Sequence, residues 1–290
     1  MTKLIKPDFL CIGAQKSGTT WLYNILEHSD HVRMPPYKEL HFFDYIDLKL
    51  PNKLSDKNKA NHFLIKRWTN LFDKIYYDSD AIPCKDKEWY KKYIHLIREM
   101  SDNSLKGYSE LFEKNYITGD ITPAYSILSP HMVKSISDYF PKTKIILILR
   151  NPIFRDWSMC KMYFKNRHNL AAENTNKTKL IENYLVKPYK RSNYNYMINT
   201  WSKYFNGRFK IFYYDDLVES PINFLSDIAS YLNIPHNQSI NKFATERIFS
   251  SNTAKFPLQY KKLLFDKYEK QILELYNLTN STTVYDWLKK

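Results

Sequence analysis

Short apolar runs alternate with helical periodicities along most of this chain. Residues 9–12, FLCI, form a continuous apolar stretch. The next periodic segment starts at Thr19 or Thr20, with Trp21, Leu22, Ile25 and Leu26 on one helical face. Residues 145–149 are five consecutive β-branched or leucine positions, so 144–149, KIILIL, reads as a strand buried on both faces. Residues 210–214, KIFYY, read as another short strand, and 116–125, YITGDITPAY, as an extended piece ending in a proline turn. Helical spacing covers 89–100, 130–140, 189–205, 222–232 and 258–278, with 61–72 as a further helix and Pro152 near the first turn of another. Residues 168–179 are polar and read as a loop. Residues 38–45, KELHFFDY, follow neither period and are expected to be a loop or short strand. Strands alternating with helices predict an α/β fold: a central, mainly parallel sheet flanked by helices. No internal repeat and no linker divides the chain, so one domain is expected over residues 1–290.

Composition sharpens this only in places. Apolar residues make up 43% of the 290, enough for a sizeable core, and 24 Tyr and 17 Phe make that core largely aromatic. Lys and Arg number 44 against 30 Asp and Glu, a formal net charge of +14. That excess favours an anionic ligand, or else it is a solvated lysine surface; the balance alone does not decide. Cys11, Cys84 and Cys160 have no metal-type pairing, and Cys11 lies within an apolar strand as a buried thiol. Few, unpaired cysteines point to a reducing compartment, and a cytoplasmic protein is expected. No apolar segment long enough for a signal or a membrane span precedes residue 13.

Four stretches carry candidate chemistry. Between the first strand and helix, Gly13 to Gly18 matches the first half of the nucleotide-triphosphatase loop, G-x-x-x-x-G, and holds two of the five glycines. Such a loop turns backbone N–H groups and a helix N-terminus toward an anion, which makes the predicted fold a three-layer, P-loop-like one. The second half of that signature is missing, because Thr19 stands where its lysine belongs and the loop's lysine is Lys16. Lys38-Glu39-x-His41-Phe42-Phe43 offers a carboxylate and an imidazole beside aromatics, a general base in a partly dry pocket or an ordinary surface pair. R-N-P-x-x-R-x-x-S, from Arg150 to Ser158, follows the KIILIL strand. At the carboxyl end of a sheet strand it suits a phosphate grip of guanidinium plus hydroxyl, or a surface salt bridge and a helical serine. A nucleotide hydrolase wants a Mg²⁺-holding Asp there. Asp215 after KIFYY is a stand-in for that Asp or a helix N-cap. Residues 119–125, GDITPAY, taken alone are only a turn.

Together these stretches resemble the sulfotransferases that use 3′-phosphoadenosine-5′-phosphosulfate (PAPS). Residues 15–22, QKSGTTWL, look like that family's 5′-phosphosulfate loop, and 149–158, LRNPIFRDWS, like its 3′-phosphate motif. Residues 38–44, KELHFFD, and 119–125 are similar to segments of its carbohydrate branch, the one containing the heparan sulfate enzymes. Residues 210–235 and the closing YDWL also look like the family's pattern, so the likeness spans nearly the whole chain. The resemblance implies metal-free sulfuryl transfer from PAPS, leaving PAP, to a hydroxyl or amine of a glycan or other small alcohol or amine. It assigns Lys16 to charge on the bridging oxygen, Ser17, Gly18, Thr19, Thr20 and Trp21 to the 5′-phosphate loop, and Arg150 and Ser158 to the 3′-phosphate. Glu39 is then the base, with His41 as the alternative.

Departures matter as well. Ile121 replaces a lysine of the heparan sulfate enzymes, implying a different acceptor arrangement. Residues 250–257, SSNTAKFP, replace their glycine–arginine loop, with Lys255 as a substitute 3′-phosphate contact. Residues 50–84 look like a basic insertion, either an acceptor-side lid or surface decoration. The competing readings are a P-loop kinase or nucleotide hydrolase and, with no recognised nucleic-acid motif behind it, a basic nucleic-acid-binding protein.

Overall fold

The computed structural model describes residues 6–49, 87–98, 104–172, 177–235, 241, 243–244 and 256–289. Strands β1 (Phe9–Gly13), β2 (Val32–Arg33), β3 (Ile117–Ile121), β4 (Lys144–Leu149) and β5 (Phe209–Tyr213) make one sheet in the order β2-β3-β1-β4-β5. Every neighbouring pair is parallel. The described helices are α1 (Thr19–Leu26), α2 (Phe42–Lys49), α3 (Lys87–Arg98), α4 (Ser104–Glu110), α5 (Pro130–Tyr139) and α6 (Pro152–His168). The second half adds α7 (Thr178–Leu185), α8 (Tyr194–Tyr204), α9 (Tyr214–Glu219), α10 (Pro221–Leu232), α11 (Leu258–Thr279) and α12 (Thr282–Asp286).

A parallel sheet must be covered on both faces, and β1 throughout and β4 from Ile145 to Leu149 are apolar and buried for that reason. Successive side chains of β4 point to opposite faces. Ile145, Leu147 and Leu149 join Leu10 and Ile12 in a core with Val133, Trp157, Trp201 and Leu264, from α5, α6, α8 and α11. Ile146 and Ile148 join Phe9 and Cys11 in a second core with Leu22, Ile25, Phe224 and Ile228, from α1 and α10. Each such fully buried aliphatic side chain contributes about 1.5–3 kcal/mol. Register matters most where Phe9 lies opposite Gly119. A methyl group on Gly119 would come 2.3–2.4 Å from the Phe9 ring, so the glycine is what lets these strands pair. This is the expected three-layer α/β fold.

Local signals set the boundaries. Ser129 and Asn151 cap α5 and α6 with their side chains, each followed by proline in the first helical position. Asn193 caps α8 and accepts from the Tyr196 N–H, so the periodicity over 189–205 divides into a short 3₁₀ turn, Lys190–Ser192, and a helix. Residues 38–45 are corrected outright: Phe42 starts a helix, and only 38–41 precede it as irregular chain. Residues 61–72 and the whole 50–84 segment lie outside the described residues.

In this order β1 is the central strand, with β3 on one side and β4 on the other. The chain fills the β2–β3 side first, then crosses to β4 and β5. Ligands of open α/β sheets bind at such a switch point, beyond the carboxyl ends of the strands. Three connections leave there: residues 14–18 after β1, Arg150 after β4, and Tyr214 after β5.

Candidate active site

A cleft of about 970 Å³ opens at this edge of the sheet. Its floor is the loop after β1. Gly18, at φ 85°, ends the loop in the left-handed region, and a methyl group there would meet Leu217 Cδ2 at 2.7 Å. Helix α1 then begins without a side-chain cap and without an acidic residue in its first turn. The N–H groups of that turn have no partner within the helix, and they carry the positive end of its dipole. Ser17 is fully buried, and its Oγ has no hydrogen-bond partner. The Trp21 Nε1 is likewise buried without one. These unmet donors at a helix N-terminus suit a phosphate.

Cations surround the loop. Lys16 has a left-handed φ of 70°, and its Nζ lies 3.7 Å from Met162 Sδ on α6. Burial and the charges of Arg150, Lys161 and Arg155 push the Lys16 ammonium below the usual lysine range, with Glu39 acting in the other direction. A cluster of like charges of this kind is relieved by an anion. Arg150 donates from Nη1 to the Lys16 carbonyl at 3.0 Å, and its guanidinium lies 4.4 Å from the Tyr214 ring centroid. The Tyr194 hydroxyl donates to the Arg150 carbonyl at 2.8 Å. Ser158 follows two turns into α6 on the same cleft wall.

The second arginine of that motif points inward instead. Arg155 is fully buried, donating from Nη2 to Ser192 Oγ at 2.6 Å and to Asp156. Burial raises the Asp156 carboxyl, and the charges of Arg155 and Lys267 outweigh it, so the group is held below the usual range. Arg155 also stacks 4.8 Å from the Tyr189 ring. Tyr189 in turn donates to Gln15 Oε1 at 2.8 Å, beside Arg191 Nη1 at 3.0 Å. The start of the loop after β1 is thereby tied to the α6 core.

Glu39 forms the opposite wall. It has φ 62° and His41 has φ 56°, both in the left-handed region. Such conformations cost about 1–3 kcal/mol each and persist only where the surroundings enforce them. The enforcing contacts are specific. The Tyr93 hydroxyl donates to the Leu40 carbonyl at 2.6 Å, and the Phe42 N–H donates to Tyr125 Oη at 3.0 Å. Tyr125 donates to the buried Asp120 at 2.7 Å, which also accepts from Tyr108 at 2.9 Å and Thr122 at 2.7 Å. Phe42 stacks on Tyr108 at 4.4 Å. Burial raises the Asp120 carboxyl, with the three hydroxyl donors opposing it.

At the cleft, Lys38 Nζ donates to Glu39 Oε1 at 2.6 Å, and His41 Nε2 lies 3.5 Å from Glu39 Oε2. His41 Nδ1 is 2.7 Å from Asp44 Oδ2. Burial pushes the Glu39 carboxyl up, but His41 and Lys38 more than reverse this and leave it at about 2.

The cleft therefore brings together Lys16, Gly18, Thr19, Thr20, Trp21, Glu39, Arg150 and Ser158. Ser17 is beneath the loop, and His41 stands behind Glu39, 6% exposed. Lys255 lies outside the described residues. Asp215 is neither a cleft residue nor an N-cap: it sits in the first turn of α9 and accepts from Trp287 Nε1 at 3.1 Å. Sequence reasoning missed Gln15, Tyr214 and a row on α6 that includes Lys161, Met162, Lys165 and Asn166. The α6 row was within reach, because it follows Ser158 at helical spacing. Nothing local marks Tyr214, which is placed by the end of β5.

The sulfotransferase family model matches residues 7–238. No curated protein matches the chain in sequence. Among solved structures, a sulfotransferase from Alicyclobacillus acidocaldarius aligns with a TM-score of 0.61 at 16% identity, over 98% of this chain and 99% of that one. The sulfotransferase domain from the curacin biosynthetic pathway aligns at 0.52 and 18% identity, over 93% and 91%. A mouse sulfotransferase complexed with PAP aligns at 0.51 and 14% identity, over 99% and 90%. These structural likenesses are likenesses of fold. The family match covers most of the sequence, including the loop, the Glu39 wall and the Arg150 motif, and the chain belongs to the sulfotransferase family.

Proposed function

We propose that this chain, as one domain, moves a sulfuryl group from PAPS to a hydroxyl or amine of a carbohydrate or glycoconjugate. The observation that carries the reading is the convergence on one cleft of an uncapped helix N-terminus, Lys16, Arg150 and Ser158, with a carboxylate facing them. The cleft volume suits a nucleotide-sized ligand, within the roughly 300–1,000 Å³ of typical small-molecule sites. The buried, unpartnered Ser17 Oγ and Trp21 Nε1 fit a polar ligand set against the loop. The PAP in the complexed mouse sulfotransferase is consistent with this co-substrate.

When bound, PAPS supplies an activated sulfuryl group on a phosphate leaving group. In this reading Thr19, Thr20 and the N–H groups of the first turn of α1 hold the 5′-phosphate. Arg150 supplies forked donors and Ser158 a hydroxyl to the 3′-phosphate. Lys16 sets its ammonium against negative charge that grows on the bridging oxygen, a contact worth most in the transition state. Glu39 accepts the acceptor's proton. Its resting carboxylate is a weak base, so it takes the proton only as bonding to sulfur makes the acceptor oxygen acidic. His41 and Asp44 hold Glu39 in place and spread the arriving charge. A kinase or hydrolase is disfavoured by Thr19 after Gly18 and by Arg150 at the end of β4.

The direct test is binding of PAP by calorimetry and thermal unfolding. Saturation at about 100 times Kd adds roughly 2.7 kcal/mol to the folded state, and a melting temperature that stays put removes the co-substrate.

A further inference from the structure

The α6 wall extends beyond the residues that the transfer reaction uses. From Ser158 the cleft-lining positions run through Lys161, Met162, Lys165 and Asn166 to Asn169 at the end of the helix. At 1.5 Å per residue, Lys165 stands about 10 Å along the axis from Ser158. Met162 fixes the scale, since its sulfur touches Lys16. The wall therefore passes from the proposed 3′-phosphate donors, to the level of Lys16, to a basic and amide-bearing stretch on the far side. That far side is where an acceptor must stand if it is to attack in line with the departing phosphate.

Its charge is one-sided. The described cleft lining has four cations, Lys16, Arg150, Lys161 and Lys165, and one acid, Glu39. Glu39 is already engaged by Lys38 and His41. Among the described residues Lys161 and Lys165 make no ion pair. Lys161 is near enough to Lys16 to depress its ammonium further. Lys161 is half-buried and Lys165 exposed, and like-signed charges lining a concave cleft raise the local concentration of an anion that enters. Asn166 and Asn169 add amide donors beside them.

We infer that the acceptor carries an oxyanion, a carboxylate, sulfate or phosphate ester, which Lys161 and Lys165 hold while its hydroxyl or amine faces Glu39. The inference rests on the sulfotransferase reading above. It narrows the acceptor from alcohols and amines in general to those with a fixed negative charge a few bonds from the reacting atom. It also gives Lys161 and Lys165 a role in specificity, apart from the reaction itself.

The test uses pairs on one skeleton with and without a carboxylate charge: methyl glucuronide and methyl glucoside, 4-hydroxyphenylacetate and its methyl ester, 3-hydroxybutyrate and its methyl ester. Binding to the whole chain is followed by ligand-observed NMR, with and without saturating PAP. The charged member of at least one pair should bind about tenfold more tightly at low salt, with the advantage shrinking as ionic strength rises. A Lys161→Ala/Lys165→Ala variant should lose that advantage while its affinity for PAP changes by less than about threefold. Equal binding within every pair overturns the inference, and so does an advantage that survives in the double variant. A comparable loss of PAP affinity also overturns it, because the two lysines would then serve the co-substrate. Failure of PAP to bind the unmodified chain would remove the sulfotransferase reading, and the measurements without PAP would still decide whether these lysines select anions.

Discussion

Replacing Glu39 with Gln separates its two roles, because the amide keeps the shape of the carboxylate and loses its charge. The wild-type carboxyl is held at about 2, against 4.5 for an ordinary glutamate, by His41 and Lys38 working against burial. A depressed carboxyl contributes stability that is full above its unfolded value and is lost as pH falls through its folded value. The window therefore runs from 4.5 down to about 2. At about 1.4 kcal/mol per pH unit the ceiling is ~3 kcal/mol, and partial solvent screening reduces it to ~1–2 kcal/mol. Glu39→Gln should thus lower the unfolding free energy in urea by ~1–2 kcal/mol near neutral pH, and the gap from wild type should narrow as pH falls below 4.5. Transfer of labelled sulfate should fall by about 10²–10⁴, while PAP affinity stays within about threefold. A stability gap that is the same at neutral pH and at about pH 3 would refute the electrostatic account of this carboxylate. Near-normal turnover, with the loss appearing in His41→Ala instead, would move the base to His41.

Two further predictions probe the other walls. Lys16→Ala should cut turnover by about 10²–10³ and leave the melting temperature within a few degrees, since the ammonium it removes is repelled by its neighbours; steady-state transfer and calorimetry check both, and unchanged turnover removes Lys16 from the reaction. Tyr125→Phe takes a donor from Asp120 and the acceptor from the Phe42 N–H. It should cost about 1–3 kcal/mol in urea unfolding and slow transfer more than it weakens PAP binding, whereas a variant as stable as wild type would show that this network does not hold the Glu39 wall.

The amino-acid sequence by itself determined much of this protein. Its strands are dense apolar runs with no competing period, so β1 and β4 were legible at once, as were the helices that open on Pro130 and Pro152; the side-chain caps at Ser129 and Asn151 were seen only in the structure. The loop after β1 was legible as a cleft element because glycine spacing is a local constraint, and the Arg150-to-Ser158 wall because helical spacing is too. Tertiary structure alone decided the segment around Glu39. No period in KELHFFDY marks a helix starting at Phe42, because Tyr93, Tyr108 and Tyr125, from 53 to 83 residues away from their contacts in sequence, pin it, with Asp120 holding Tyr108 and Tyr125. GDITPAY, only a turn when read locally, is the anchor of that wall once Asp120 is buried among three hydroxyls. His41 was set beside Glu39 by sequence and behind it by the fold: Glu39 lines the cleft, and the buried His41 has its Nδ1 against Asp44. Tyr214 became a cleft residue only through the strand order, which brings the ends of β1, β4 and β5 to one edge of the sheet.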